Sequence, residues 1–145
     1  KIAAAGLGGR IHLLGHRWDV ADWYDAADIF LLPSDAEGMP LSIMEAMAKG
    51  LPVAATAVSG IPEELGDTGK LLPNGQLNRA GLVTALTATL AEWSADAALR
   101  TRLGAAARRR ADQLFREERM LQETLELLRT ARAAAVPAAA VAVPA

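Results

Sequence analysis

Ile29-Phe30-Leu31-Leu32 and Val53-Ala54-Ala55 are short apolar runs separated by one polar loop and one helix-length segment. A strand with one wet face alternates polar and apolar side chains, whereas one buried on both faces reads as a continuous apolar run. The segment between them predicts a helix over residues 42–49, stopped by Gly50. Strands joined through a helix run parallel with right-handed crossovers, so the expected fold class is α/β, a doubly wound parallel sheet. Residues 10–14 read as a further short strand containing His12, and residues 69–73 as another. Residues 19–27 read as a helix with Asp19 as N-cap and Val20, Trp23, Tyr24 and Ala27 on one face.

The second half of the chain is helical in pattern. Residues 80–93 place Leu82, Leu86 and Leu90 four apart, residues 95–115 form a helix that Ser94 or Asp96 can cap, and residues 117–131 form a third. The stripe Leu121, Leu125 and Leu128 reads as core packing. These elements give a domain over residues 1–132, followed by an Ala/Val/Pro-rich tail over 133–145 with nothing to fold around, expected to be disordered. At the other end, residues 1–6 read as the end of a helix stopped by Gly6, Gly8 and Gly9. These glycines follow helix formers and precede a strand, the wrong context for a dinucleotide fingerprint. Lys1 is an unusual first residue for a whole gene product, and sequence upstream of it is expected.

Composition narrows the function classes. With 145 residues, 52% hydrophobic and 22% charged, the chain is the size of one domain with a proper core. A net charge of −2 and 4% aromatic content give no basic footprint and few stacking platforms, so nucleic acid is not an expected partner. There is no cysteine, hence no thiolate nucleophile or disulfide framework, and a cytoplasmic location is the expectation. No run of about 18 apolar residues suggests a membrane span. Arg108, Arg109 and Arg110 spread around a helix and read as solvated surface, with peripheral membrane contact as a minor alternative.

In an open parallel sheet, ligands bind at the carboxyl ends of the strands. The loops expected there contain Gly15-His16-Arg17, Ser34-Asp35-Ala36-Glu37-Gly38 and Ala57-Val58-Ser59-Gly60, all polar and glycine-bearing after apolar strands. Glu37 and Glu45 stand eight positions apart, one on the loop and one on the helix it enters. A carboxylate pair beside a helix N-terminus suits a polyhydroxylated, diphosphate-bearing ligand. Other readings stay open. Ser42 to Glu45 fits a capping box, in which Glu45 only reaches back to the backbone. Asp35 with Glu37 imitates a metal pair, but two acids without a third cluster are weak, and no metal is expected. Neither histidine has a partner for nucleophilic catalysis.

The run Leu32-Pro33-Ser34, Glu37-Gly38, Pro40-Leu41, Glu45-Ala46-Met47-Ala48, Gly50-Leu51-Pro52-Val53, Ala55-Thr56 and Gly60-Ile61-Pro62-Glu63 resembles the donor domain of family 4 retaining glycosyltransferases. Leu13-Leu14-Gly15-His16 and the segment from Leu103 to Arg108 are also similar, so the resemblance covers about residues 10–128. It implies a GT-B fold, of which this chain is the later part of the C-terminal, Rossmann-like domain, without cofactor or metal. Glu37 would be the sugar-side catalytic carboxylate and Glu45 the ribose ligand. Gly38, Met39 and Leu41 would lend amides, with Ser42 beside them. Gly15, His16 and Arg17 would lie near the base, and Ser59 and Gly60 by the diphosphate. Pro40, where many members have glycine, has no amide to lend.

The resemblance further implies a UDP-, GDP- or ADP-sugar as donor, an acceptor site on a missing N-terminal domain, and a last helix that often crosses back to that domain. The family's Arg and Lys that neutralise the leaving diphosphate precede the part matched here, so this chain alone is expected to be inactive. The alternatives are a catalytically idle nucleotide-sugar binding or interaction module, or a GT-B epimerase or phosphorylase.

Overall fold

The computed structural model describes residues 1–134. After a single 3-10 turn at Ala3–Ala5, closed by Gly6 at φ 69°, the order is α1 (Val20–Ala26), β1 (Phe30–Leu32), α2 (Leu41–Ala48), β2 (Val53–Thr56), α3 (Ile61–Leu65), β3 (Lys70–Leu72), α4 (Arg79–Ala95), α5 (Ala97–Leu114) and α6 (Glu117–Ala134). The three strands lie in the order β1-β2-β3, all parallel. Phe30 is in register with Val53, and Ala54 with Lys70.

Both faces of the sheet are covered, as the continuous apolar runs require. Every residue of β2 is buried. Val53 and Ala55 join Ile43, Met47, Ile61, Leu65 and Ala107 in one core, while Ala54 turns to the other face with Leu72, Leu82 and Trp93. Helix α5 serves both, giving Ala107 and Ala111 to the first and Leu99 and Leu103 to the second. It approaches the α2–β2 turn so closely that a Cβ on Gly104 would stand 1.9 Å from the Gly50 carbonyl oxygen.

Several elements differ from the sequence reading. Residues 10–14 are not a strand. A strand needs a hydrogen-bonding neighbour, none is offered among the described residues, and Leu13 and Leu14 are exposed. Asp19 occupies the N-cap position of α1 without capping it, because its carboxylate is held by Arg17 at 2.8 Å. The loop after β2 winds into the short helix α3, with Pro62 in its first turn. Asn78 and Asp96 cap α4 and α5 through Gly81 N–H and Leu99 N–H, each at 2.8 Å. The Leu121, Leu125 and Leu128 stripe of α6 is half or more exposed rather than packed, since no described element covers it. Helix α6 continues to Ala134, two residues beyond the expected domain end, and the rest of the expected tail lies outside the described residues.

Candidate functional site

Parallel strands place the loops after β1 and β2 side by side, and hydrogen bonds join them here. The Thr56 hydroxyl donates to the Ser34 carbonyl at 2.5 Å. One step further out, the Gly60 amide donates to the Gly38 carbonyl at 2.9 Å. A Cβ on Gly60 would stand 2.6 Å from that carbonyl oxygen, so the approach requires glycine. Beside it Ser59 holds φ at 47°, an unusual strain for a residue with a side chain. Glu37 is half-buried, and Gly38, Met39 and Ser59 are exposed.

Helix α2 begins straight out of this junction. Its N-cap position is Pro40, which has no side-chain oxygen to offer and makes no cap bond. Ser42 is therefore inside the first turn, and the capping-box reading of Ser42 and Glu45 does not hold. The main-chain amides of exposed Leu41 and half-buried Ser42 sit at the end of the helix where an anion is favoured. Glu45 lies one turn on and accepts from the Tyr24 hydroxyl at 3.0 Å. Burial, then this bond and the charge of Glu45, push Tyr24 up to about 12. Glu45 lines a cleft of about 600 Å³ between α1 and α2, together with Tyr24, Asp25, Lys49 and Arg108. The two glutamates thus occupy different places, Glu37 at the loop junction and Glu45 in the interhelix groove, and the clefts that Glu45 lines do not include Glu37.

The remaining expected site loop stands apart. Gly15 takes φ 65°, His16 meets Trp18 edge-on at 4.7 Å between ring centroids, and Arg17 pairs with Asp19 while lying 5.6 Å from the Trp23 ring centroid. Among the described residues no hydrogen bond ties this loop to the Gly38–Gly60 junction. Likewise no three acidic or histidine side chains gather where a metal could be held, and no helix is long and apolar enough to cross a membrane.

Sequence reasoning missed Tyr24 as the partner of Glu45, Thr56 as the tie between loops, and Glu64. Glu64 is fully buried, and neither carboxylate oxygen has a hydrogen-bond partner. Desolvation pushes it up to about 7, the Met44 amide, near the carboxyl but short of a full hydrogen bond, pulls it part of the way back, and the charge of Glu37 adds a smaller upward push. A helical spacing of three from Ile61 was the available signal, since it turns Glu64 toward the same interior.

Comparison with known proteins places the chain by family and fold. The chain is 38% identical over 109 residues to the lipopolysaccharide core biosynthesis mannosyltransferase LpsB of Rhizobium meliloti, covering 73% of this chain and 29% of that protein. It is 33% identical over 116 residues to N-acetyl-alpha-D-glucosaminyl L-malate synthase of Bacillus anthracis, covering 79% of this chain and 29% of that one. Among solved structures, sucrose-phosphate synthase of Thermosynechococcus elongatus superimposes with a TM-score of 0.75 at 32% identity, over 92% of this chain and 33% of its own. Anabaena Alr3699/HepE, solved in complex with UDP, gives 0.76 at 26% identity, over 89% and 35%. The chain therefore spans about a third or less of the length of these relatives, and it shares the α/β fold of GT-B glycosyltransferases. The family described as glycosyl transferases group 1 matches residues 1–92, more than half of the chain, and the protein belongs to that family.

Proposed function

We propose that this chain binds the nucleoside diphosphate sugar of a retaining glycosyltransferase. The observation that carries the reading is the Gly38–Gly60 junction, which opens onto the uncapped first turn of α2 at the carboxyl end of a parallel sheet. In this reading Glu37 faces the sugar and Glu45 a ribose hydroxyl, and the amides of Gly38, Met39 and Leu41 approach the diphosphate and sugar. The neighbour HepE, solved with UDP and with UDP-glucose, supports a uridine diphosphate donor as the first to test.

Transfer breaks the bond between the anomeric carbon and a diphosphate oxygen and forms one to an acceptor oxygen, whose proton leaves for the diphosphate. Negative charge gathers on the departing group, and fixed cations are its main stabiliser. The loops at residues 33–40 and 57–60 contain no Arg or Lys, and Arg17 is engaged by Asp19. Donor binding without turnover is the expected behaviour of this chain alone. Calorimetric titration with UDP, GDP and ADP tests the reading. Saturable binding of one of them, weakened at least about tenfold by Glu45→Ala (about 1.4 kcal/mol), supports it. No binding of any of the three, or binding indifferent to Glu45, overturns it.

A further inference from the structure

Glu64 stands on the helix that follows the Gly38–Gly60 junction, and its own amide donates to the Gly60 carbonyl at 3.0 Å. Its side chain does not go to water. It has no exposed surface, both oxygens lack a hydrogen-bond partner, and the Met44 amide at the start of α2 is the main-chain group that acts on it. A buried carboxyl without a partner is costly, and one in this position needs a reason.

The surrounding charges narrow that reason. Glu37, on the loop in front, is the side chain whose charge acts on the Glu64 carboxyl. From α5, Arg110 donates to the main-chain oxygens of Glu64 and Glu63 at 2.9 and 2.7 Å, so its charge is spent on the backbone side. On α2, Glu45 is engaged by Tyr24 and Lys49 by Asp25, while Glu63 on α3 and Lys70 on β3 are exposed. No cation reaches the carboxyl among the described residues. We propose that Glu64 is a proton-linked residue of the donor site, a buried carboxyl behind the Gly38–Gly60 junction that takes up a proton when an anionic diphosphate sugar binds in front of it. This rests on the donor reading above. Two carboxyls and a diphosphate crowd one another electrostatically, and adding a proton to the enclosed member relieves the repulsion at least cost.

The test is calorimetry of the chain with UDP-glucose near pH 7.5 in buffers of different ionisation heat, which counts protons exchanged on binding. Its diphosphate does not titrate in this range. Net uptake of roughly half a proton is expected if the bound donor raises the carboxyl by about one unit. Glu64→Gln abolishes the uptake while donor still binds, and Glu37→Gln, a loop change that leaves the core intact, moves the uptake to lower pH. Equal uptake in wild type and E64Q, or a pH of uptake unmoved in E37Q, overturns this proposal alone. Should neither UDP-glucose nor GDP-mannose nor ADP-glucose bind the wild type, the donor reading falls, and this one with it.

Discussion

The amide of Gly60 is bonded to the carbonyl of Gly38 at 2.9 Å, across the loops that leave two adjacent parallel strands. The contact leaves no room for a side chain, because a Cβ on Gly60 would meet the Gly38 oxygen at 2.6 Å. Gly60→Ala should push the loops apart at a cost of about 1–2 kcal/mol and weaken nucleotide binding by more than stability alone explains. Urea denaturation and titration with UDP on the same preparation check it. Unchanged affinity would detach this junction from the ligand.

Gly104 and Gly50 make a second close approach, which seats α5 against the turn between α2 and β2. Here the clash is with backbone, at 1.9 Å, and has no flexible side chain to yield. Gly104→Ala should destabilise the chain by about 3 kcal/mol, read as a lower urea midpoint. Gly38→Ala, where an added Cβ meets nothing within 4 Å, is the control with little steric cost.

The sheet and its first helix crossover were legible because β2 is buried on both faces and β1, half-buried, packs against both cores, and their composition says so without alternation. Residues 10–14 have equally strand-like composition, yet pairing is a relation between segments, and no partner lies beside them among the described residues. Helix α3 was hidden by Pro62, which reads as a loop breaker but fits a first helical turn. The loops around Glu37 and Ser59 could be found from their polarity after apolar strands. Their mutual bond could not, since nothing in one loop's sequence reports the distance to another. Glu64 was passed over because a glutamate beside a glutamate reads as surface, and only the orientation of α3 buries it.

If Glu37 stabilises charge on the donor sugar, Glu37→Gln in a form of the protein that turns over should lower kcat about a hundredfold, roughly 3 kcal/mol of transition-state stabilisation. The loop position makes a folding defect a small part of that loss. Steady-state kinetics with the urea midpoint as control decide it, and an effect below about threefold would reduce Glu37 to a bystander.

The chain has a single tyrosine, so ultraviolet titration of phenolate reports Tyr24 alone. Its midpoint should lie at about 12 and fall only part of the way toward the ordinary value of 10 in Glu45→Ala, which removes both the bond and the charge but leaves the burial. Because the folded phenol holds its proton more tightly than the unfolded one, its contribution to stability is whole below pH 10 and is lost as pH rises toward 12. Tyr24→Phe should cost about 1 kcal/mol at neutral pH and remove that loss. A midpoint near 10 in the wild type would mean that Tyr24 is not held against Glu45 in solution.

Glu64 gives the opposite half of the pH range a predictable slope. Its carboxyl sits at about 7 in the folded chain against 4.5 as the ordinary value, so between these pH values the folded state holds a proton that the unfolded state has released. Stability must then fall as pH rises through this window and level off above it. The integrated loss is on the order of 2–3 kcal/mol. Glu64→Gln removes the titrating group and keeps the shape, so the variant should gain on the wild type by that amount between pH 5 and 8. Urea midpoints at pH 5, 6, 7 and 8 for both proteins measure it. Parallel profiles would show that Glu64 finds a charge partner or water in solution, and its buried carboxyl would no longer need a proton.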